Sequence, residues 1–309
     1  MIIEFHRNML ADKVRNEAFY QALQQVIKPG ESIVADVGSG TGLLGFLASK
    51  LGAKAVYMYE YSPVIKLSQK LARHNHIPHC HFINSHSTDV DKPVKADVLV
   101  SEILGNYAYE ENIIETVEDA KRFLKPDGVI IPQTIIQYVA PVITSRFYDE
   151  LLVWDKVGFD LDFSLARDTS LNNLYVRRLL AEDLLGKGNA QRWDSVDLNR
   201  KNKSVRSGNA TWQLTQSDTI YGFAVWWECE LIKGITLSTS PLANATHWDQ
   251  LYFPVLQPIH ANAGDKLSIQ LDSDTRYSVG VNVKWQVSLQ RDSNLLVEQS
   301  LDMRKGDLR

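Results

Sequence analysis

The sequence predicts two domains of different class: a doubly wound α/β domain over residues 1–132 and an antiparallel β domain over residues 133–309. Three observations carry this. Ser32-Ile-Val-Ala-Asp-Val runs into Gly38-Ser-Gly40-Thr-Gly42, a buried strand entering a glycine turn and then a helix. Ala96-Asp-Val-Leu-Val is a second buried run, and it opens into Ser101-Glu102-Ile-Leu-Gly105-Asn-Tyr-Ala-Tyr-Glu110-Glu111. In open α/β sheets ligands sit beyond the carboxyl ends of the strands, so this acidic stretch leaves the sheet where chemistry is done. From Asn209 onward, runs such as Thr211-Trp-Gln-Leu, Tyr221-Gly-Phe-Ala-Val-Trp-Trp and Val281-Asn-Val-Lys-Trp-Gln-Val alternate with a period of two between turn-rich separators, the pattern of a barrel or sandwich.

A chain of 309 residues is comfortable for two domains, and 44% hydrophobic with 23% charged residues is ordinary for a globular protein. The net charge of −4 argues against nucleic acid or an anionic membrane as partner and suits a cationic substrate. Cys80 and Cys229 are the only cysteines, which fits a reducing, cytoplasmic compartment. Met-Ile-Ile-Glu-Phe-His-Arg carries no secretory h-region, and no apolar run approaches ~18 residues. The Asn-x-Ser/Thr triplets at Asn202, Asn209 and Asn244 are therefore chance matches.

Along the chain, Leu10, Val14, Ala18, Ala22 and Val26 form a helical stripe over residues 8–27, with Asp12 and Arg15 on the other face. After the glycine turn, Glu60 ends the next strand, about 20 residues on, placed to accept both hydroxyls of a ribose. Two registers compete at the turn. Gly40-x-Gly42-x-x-Gly45 satisfies the dinucleotide fingerprint, but a phosphate site gains nothing from Asp36 beside it. Ser62-Pro63 caps a helix reaching about Asn75. Five of the eight histidines fall between His74 and His86, yet no second ligand cluster accompanies them, and no metal is expected. A helix from Glu111 and a strand ending at Pro132 complete an expected six alternating strands. Residues 186–208, polar and basic, read as a loop excursion.

Several of these segments together resemble the protein arginine methyltransferases. Ser-Glu-x-x-Gly-x-x-x-x-x-Glu after the fourth strand is similar to the family's double-glutamate loop, pairing Glu102 with Glu111, nine residues apart. Asp36-x-Gly38-x-Gly40-x-Gly42 looks like the methyltransferase turn. His6-x-x-Met9-Leu10-x-Asp12-x-x-Arg15 is similar to the segment that opens the family's cofactor domain, and Thr246-His247-Trp248 to its Thr-His-Trp loop. The resemblance implies S-adenosylmethionine as cofactor, held by His6, Arg15, Asp36, Gly38, Gly40, Gly42 and Glu60, with Thr88 at the position where an acid receives the adenine. It implies that His247 pairs with Asp12, that Pro132 is cis, and that residues 145–185 form a helical arm docking on a second subunit to make a homodimer. Departures are Ile103 for a tryptophan, Glu110 for an aromatic residue, Thr88 for the acid, and no Tyr-Phe-x-x-Tyr helix ahead of His6.

The chemistry explains the acids. A guanidinium has five donors in a fixed fork and must approach a sulfonium, another cation. Glu102 and Glu111 would offset that repulsion and fix the plane of the fork, and the released proton would leave through Asp12–His247 or a glutamate. The expected activity is methylation of arginine in a protein or peptide. Alternatives are a small guanidine as substrate, or a silent binding or scaffold member. Met9 matches the family position that accompanies mono- or asymmetric dimethylarginine.

Overall fold

The computed structural model describes residues 2–307. The first domain alternates helices and strands: α1 (Ile2–Ala11), α2 (Lys13–Val26), β1 (Ile33–Val37), α3 (Leu43–Lys50), β2 (Ala55–Tyr59), α4 (Ile65–His74), β3 (Cys80–Ile83), β4 (Ala96–Val100), α5 (Ile113–Ala120) and β5 (Leu124–Ile131). The strands form one parallel sheet in the order β3-β2-β1-β4-β5. The sheet has five strands where the sequence reading expected six. Strand order reverses between β1 and β4, so residues 38–42 and 101–111 emerge side by side at the switch point where a crevice forms.

The single helix expected over residues 8–27 is two. Asp12 takes extended backbone (φ −75°, ψ 95°) and its side chain accepts from the Arg15 amide, capping α2 and turning α1 away. The helix after Ser62-Pro63 starts later than expected, at Ile65. The Ile131–Pro132 peptide is cis.

The rest of the chain forms β6 (Thr134–Val142), α6 (Arg146–Leu151), α7 (Ser164–Leu171), β7 (Tyr175–Arg177), β8 (Gln191–Asp197), β9 (Val205–Gln213), β10 (Asp218–Ile232), β11 (Ile235–Ser238), β12 (Gln250–Ala261), β13 (Lys266–Asp274), β14 (Asn282–Arg291) and β15 (Asn294–Asp302). Two antiparallel sheets result, β7-β12-β10-β6-β8 with β11 beside β10, and β15-β14-β13-β9. They pack through Trp212 against Phe223 and Phe253 against Trp285, burying the apolar face of each alternating strand. Segment 186–208, expected as a loop, contains β8 paired to β6. Its alternation is hidden because a register shift opposite Gln137 and Tyr138 puts the consecutive residues Trp193 and Asp194 both inside.

Candidate active site

Glu102 is set by the end of β4. The Ser101 amide donates to Ile131 O (2.9 Å) and its hydroxyl to Val37 O (2.8 Å), tying the strand end to both neighbours. The next side chain then turns inward. Glu102 Oε2 accepts from Arg15 Nε (2.8 Å) and Nη2, and Oε1 from the Leu104 amide (3.2 Å). Both partners of this ion pair are buried, with side-chain exposures of 5% and 3%, so each charge depends on the other. Arg15 was expected to face the cofactor. Its guanidinium donates to Glu102 and to Asn16 Oδ1 (2.9 Å), which leaves two of its five N–H donors unused.

The other two acids of the loop differ from Glu102 and from each other. Glu110 packs on Gly105, where an added Cβ would lie 1.9 Å from its Oε1, and accepts from the Asn106 amide (3.0 Å). Burial pushes its carboxyl up. Glu111 accepts no hydrogen bond from the described residues and reaches the solvent at the cavity mouth. Its low-polarity surroundings, then the charges of Glu102 and Glu110, raise its carboxyl to about 7.

The loop between these acids is held from the second domain. Trp248 Nε1 donates to Leu104 O (2.8 Å), Trp227 Nε1 to Gly105 O (2.9 Å), and the Asp249 amide to Asn106 Oδ1 (2.9 Å). Beneath it, Tyr107 Oη donates to Ser273 Oγ (2.6 Å) and Tyr109 Oη to Asp194 Oδ2 (2.9 Å), while Arg206 forks onto Asp194. His247 closes the far side. Its Nδ1 lies 2.8 Å from Asp12 Oδ2, which also accepts the His247 amide. Burial pushes the Asp12 carboxyl up, but the His247 ring and the Arg15 and His247 amides outweigh it and hold it below the usual carboxylate range.

On the first domain's side, Gly38 (φ 76°) and Gly40 (φ 52°) leave the turn bare for close approach. A Cβ on Gly38 would lie 2.7 Å from Ile103, and on Gly40 2.8 Å from the His6 ring. Burial, offset by Glu60 and aided by Arg15, lowers the pKa of His6. Glu60 accepts from the Gly40 amide (3.0 Å) and the Ser62 amide (2.7 Å).

These groups line a cavity of about 940 Å³ between the domains. It takes in His6, Gly38, Gly40, Glu60, Glu102, Glu111 and His247, together with Met9 and Glu110. Among the described residues no lysine or arginine lines it. Five of the expected residues stand outside it. Arg15 and Asp12 lie behind Glu102 and His247. Asp36 is buried, gives Oδ2 to the Gly45 amide at the start of α3 (2.9 Å), and is raised to about 7 by burial, offset by that amide and added to by Glu60. Gly42 (φ 99°) is the cap of α3, and a Cβ there would meet Ser68 and Phe46. Thr88 is corrected as well. It sits exposed in a short turn, bonded to His86 Nδ1 (2.7 Å), and the neighbours Ser85, His86 and Ser87 line the cavity in its place. Tyr107, Tyr109, Trp227, Asp194 and Tyr277 were missed, because nothing in the sequence marks a partner some 85 to 166 residues away.

Among the described residues no group of three or more His, Cys, Asp or Glu is placed to hold a metal ion. The model of the arginine methyltransferase oligomerization subdomain matches residues 134–290, half of the chain. The chain belongs to the protein arginine methyltransferase family. Residues 18–157 match the model of the ribosomal protein L11 methyltransferase. Protein arginine N-methyltransferase 2 of Xenopus tropicalis is 27% identical over 314 residues, covering 93% of this chain and 70% of that protein. The histone-arginine methyltransferase CARMER of Anopheles gambiae is 28% identical over 313 residues, 94% of this chain, which spans only 50% of that relative's length. A chain of the Trypanosoma brucei PRMT1 enzyme–prozyme heterotetrameric complex with AdoHcy shares the fold at TM-score 0.86 and 21% identity, covering 97% of this methyltransferase family member and 98% of its own length. Protein arginine methyltransferase 10 of Arabidopsis thaliana does so at TM-score 0.80 and 21% identity, covering 96% and 97%.

Proposed function

We propose that the protein transfers a methyl group from S-adenosylmethionine to the guanidinium of arginine in a protein or peptide. One observation carries this reading: a loop with three carboxylates lines a cavity that, among the described residues, no lysine or arginine lines. Such a site attracts a cation, and it offers no partner to the α-carboxylate of free arginine. A peptide arginine, whose carboxylate is spent in an amide, meets no such conflict.

The residues fit the cofactor. When bound, S-adenosylmethionine supplies an electrophilic methyl on a cationic sulfur. Glu60 retains lone pairs beyond those taken by the Gly40 and Ser62 amides, so its carboxylate can accept from a ribose diol. Gly38 and Gly40 present bare backbone to the ligand. Arg15 has donors left after Glu102 and Asn16 and can share its charge with the methionine carboxylate. His6, packed over Gly40, walls the same end.

On the substrate side, Glu102 and Glu111 hold the guanidinium in one plane. Positioning of this kind is worth on the order of 7–11 kcal/mol. Arg15 is paired with Glu102, whereas Glu111 has no hydrogen-bond partner among the described residues and its carboxyl is raised to about 7. Methylation of a guanidinium nitrogen releases one proton, and Glu111 receives it. His247, held by Asp12, closes the channel and locks the second domain to α2. Met9, beside His6 on the cavity wall, supports mono- or asymmetric dimethylarginine as product.

The arm supports a homodimer. Phe159 (90% exposed), Leu165 (82%) and Leu161 (60%) project apolar surface that water does not favour. Trp154 is partly covered by stacking on Phe163 within the arm itself. A groove of about 880 Å³ along α2, with Val14, Ala18, Leu43, Leu47 and Ile235, offers a second copy's arm an apolar seat. The unpaired thiols Cys80 and Cys229 support a reducing, cytoplasmic setting.

The decisive experiment is mass spectrometry of arginine species after incubating the protein with methyl-labelled cofactor and an Arg-Gly-Gly peptide or free arginine. Labelled peptide, lost in Glu102→Gln and Glu111→Gln while S-adenosylhomocysteine still binds, is the expected result. Higher kcat/KM on free arginine overturns the substrate assignment, and symmetric dimethylarginine overturns the product.

A further inference from the structure

The loop joining β13 to β14 reaches out of the second domain and onto the first. Thr275 bonds back to Ser204, whose hydroxyl donates to Glu115 Oε1 (3.0 Å) on α5. Next in the chain but one, Tyr277 donates its amide to Glu115 Oε2 (3.2 Å) and places its hydroxyl 2.7 Å from Thr116 Oγ1. Its ring therefore stands at a defined point on the cavity wall, yet 51% of the residue remains exposed. Two further aromatic rings stand in line with it. His86 lies with its centroid 6.4 Å from Tyr277 at an interplanar angle of 74°, and Tyr61, 72% exposed, lies 5.7 Å from His86 at 52°. None of these pairs is stacked face to face, and Tyr61 and Tyr277 keep more than half of their surface exposed.

This row begins beside Glu60. Tyr61 follows it in the chain, and Asn84 Nδ2 donates to both the Glu60 and the Tyr61 carbonyls, bringing the segment that carries His86 alongside. Glu60 is the proposed ribose acceptor, and His6, Gly40 and the acidic loop occupy the cavity in the other direction. A group carried by the ribose and pointing away from the acids meets Ser85, His86, Thr116 and Tyr277. The chemistry there is aromatic faces with small hydroxyls, which suits a flat, uncharged heteroaromatic ring.

We propose that Tyr277, with His86 and Tyr61, forms the seat of the cofactor's purine ring, so that the second domain contributes directly to cofactor binding and not only to the substrate channel. The inference rests on the cofactor reading above and assigns a role to the position where Thr88 supplies no acid. Because α5 starts two residues after Glu111, seating the purine against Tyr277 and Thr116 also couples cofactor binding to the acidic loop.

Calorimetric titration of the full chain with S-adenosylhomocysteine tests it, with Tyr277→Phe, Tyr277→Ala, Tyr277→Leu and His86→Ala. Loss of one aromatic face weakens base binding by roughly tenfold, so Tyr277→Ala, Tyr277→Leu and His86→Ala should each show about that loss. Tyr277→Phe, which keeps the ring, should stay within about threefold of wild type. Melting temperatures separate a binding loss from misfolding, and Tyr277→Leu preserves packing if the alanine variant fails to fold. Unchanged affinity in Tyr277→Leu overturns the proposal. So does equal loss in Tyr277→Phe and Tyr277→Leu, which would make the hydroxyl latch and not the ring responsible. A rise confined to the KM of an arginine peptide, with cofactor affinity intact, also overturns it by moving Tyr277 to the substrate channel. A wild-type protein that binds no S-adenosylhomocysteine removes the cofactor reading itself, a failure distinct from these.

Discussion

At the scale of single residues, two carboxyls with raised pKa make opposite demands. Glu111 is raised to about 7 by low polarity and by Glu102 and Glu110, so below that pH it holds a proton and neither attracts a guanidinium nor accepts its proton. kcat/KM should therefore rise with pH through about 7. Glu110→Gln removes one of the neighbouring charges and should move that midpoint to lower pH; a profile identical to wild type contradicts the coupling. Asp36 is also raised to about 7, but it serves α3 and not the ligand. An unfolded aspartate ionises near ~4. As pH rises from there through the folded value, the unfolded state gives up its proton first and the fold loses stability. Asn at this position still accepts from the Gly45 amide and never ionises. Asp36→Asn should melt a few degrees above wild type at pH 8, with the gap closing toward pH 5.

At the scale of elements, the loop 101–111 was readable as lying at the mouth of the sheet's crevice, because it follows a buried strand at the sheet reversal. Its shape was not. A run with no helical or strand period left the backbone undetermined, and indole and amide donors from the second domain, with Asp194 accepting from Tyr109, decide it. Tyr109 is the point where this support is testable. Tyr109→Phe leaves Asp194 with Arg206 but without the phenol, a loss of about 1–3 kcal/mol in a buried network. We expect kcat to fall roughly tenfold with S-adenosylhomocysteine affinity preserved, because positioning of the acids and not the cofactor site is disturbed. Retained kcat in a correctly folded variant would show that the network only stabilises the fold. β8 gives the converse lesson: a strand went unread because one bulge broke its alternation.

At the scale of the whole molecule, the cavity draws on both domains, and the arm is anchored in the core by Phe147, Leu151 and Leu171 while its tip stands outside it. His247 and Asp12, 235 residues apart, join α2 to the second domain through one carboxylate. The arm's Phe159 and Leu165 contribute almost nothing to the monomer's packing, since both are more than four-fifths exposed. Phe159→Ser with Leu165→Ser should leave the melting temperature of the monomer unchanged while multi-angle light scattering shows the dimer lost at micromolar concentration. A dimer that survives both changes places the interface elsewhere.

What the sequence determined alone was the class of each domain, the glycine turn, the acid that follows β2 and the acidic loop. These are matters of local sterics and of apolar periodicity, both encoded within a few neighbouring residues. The Asp12–His247 link was accessible only through the resemblance. Tertiary structure alone decided that Arg15 pairs with Glu102, that Glu111 has no hydrogen-bond partner among the described residues, that Asp36 and Gly42 serve α3, and that Tyr277 reaches the cavity. Each of those depends on how far-separated segments pack, and on how burial sets the strength and the partner of every charge it encloses.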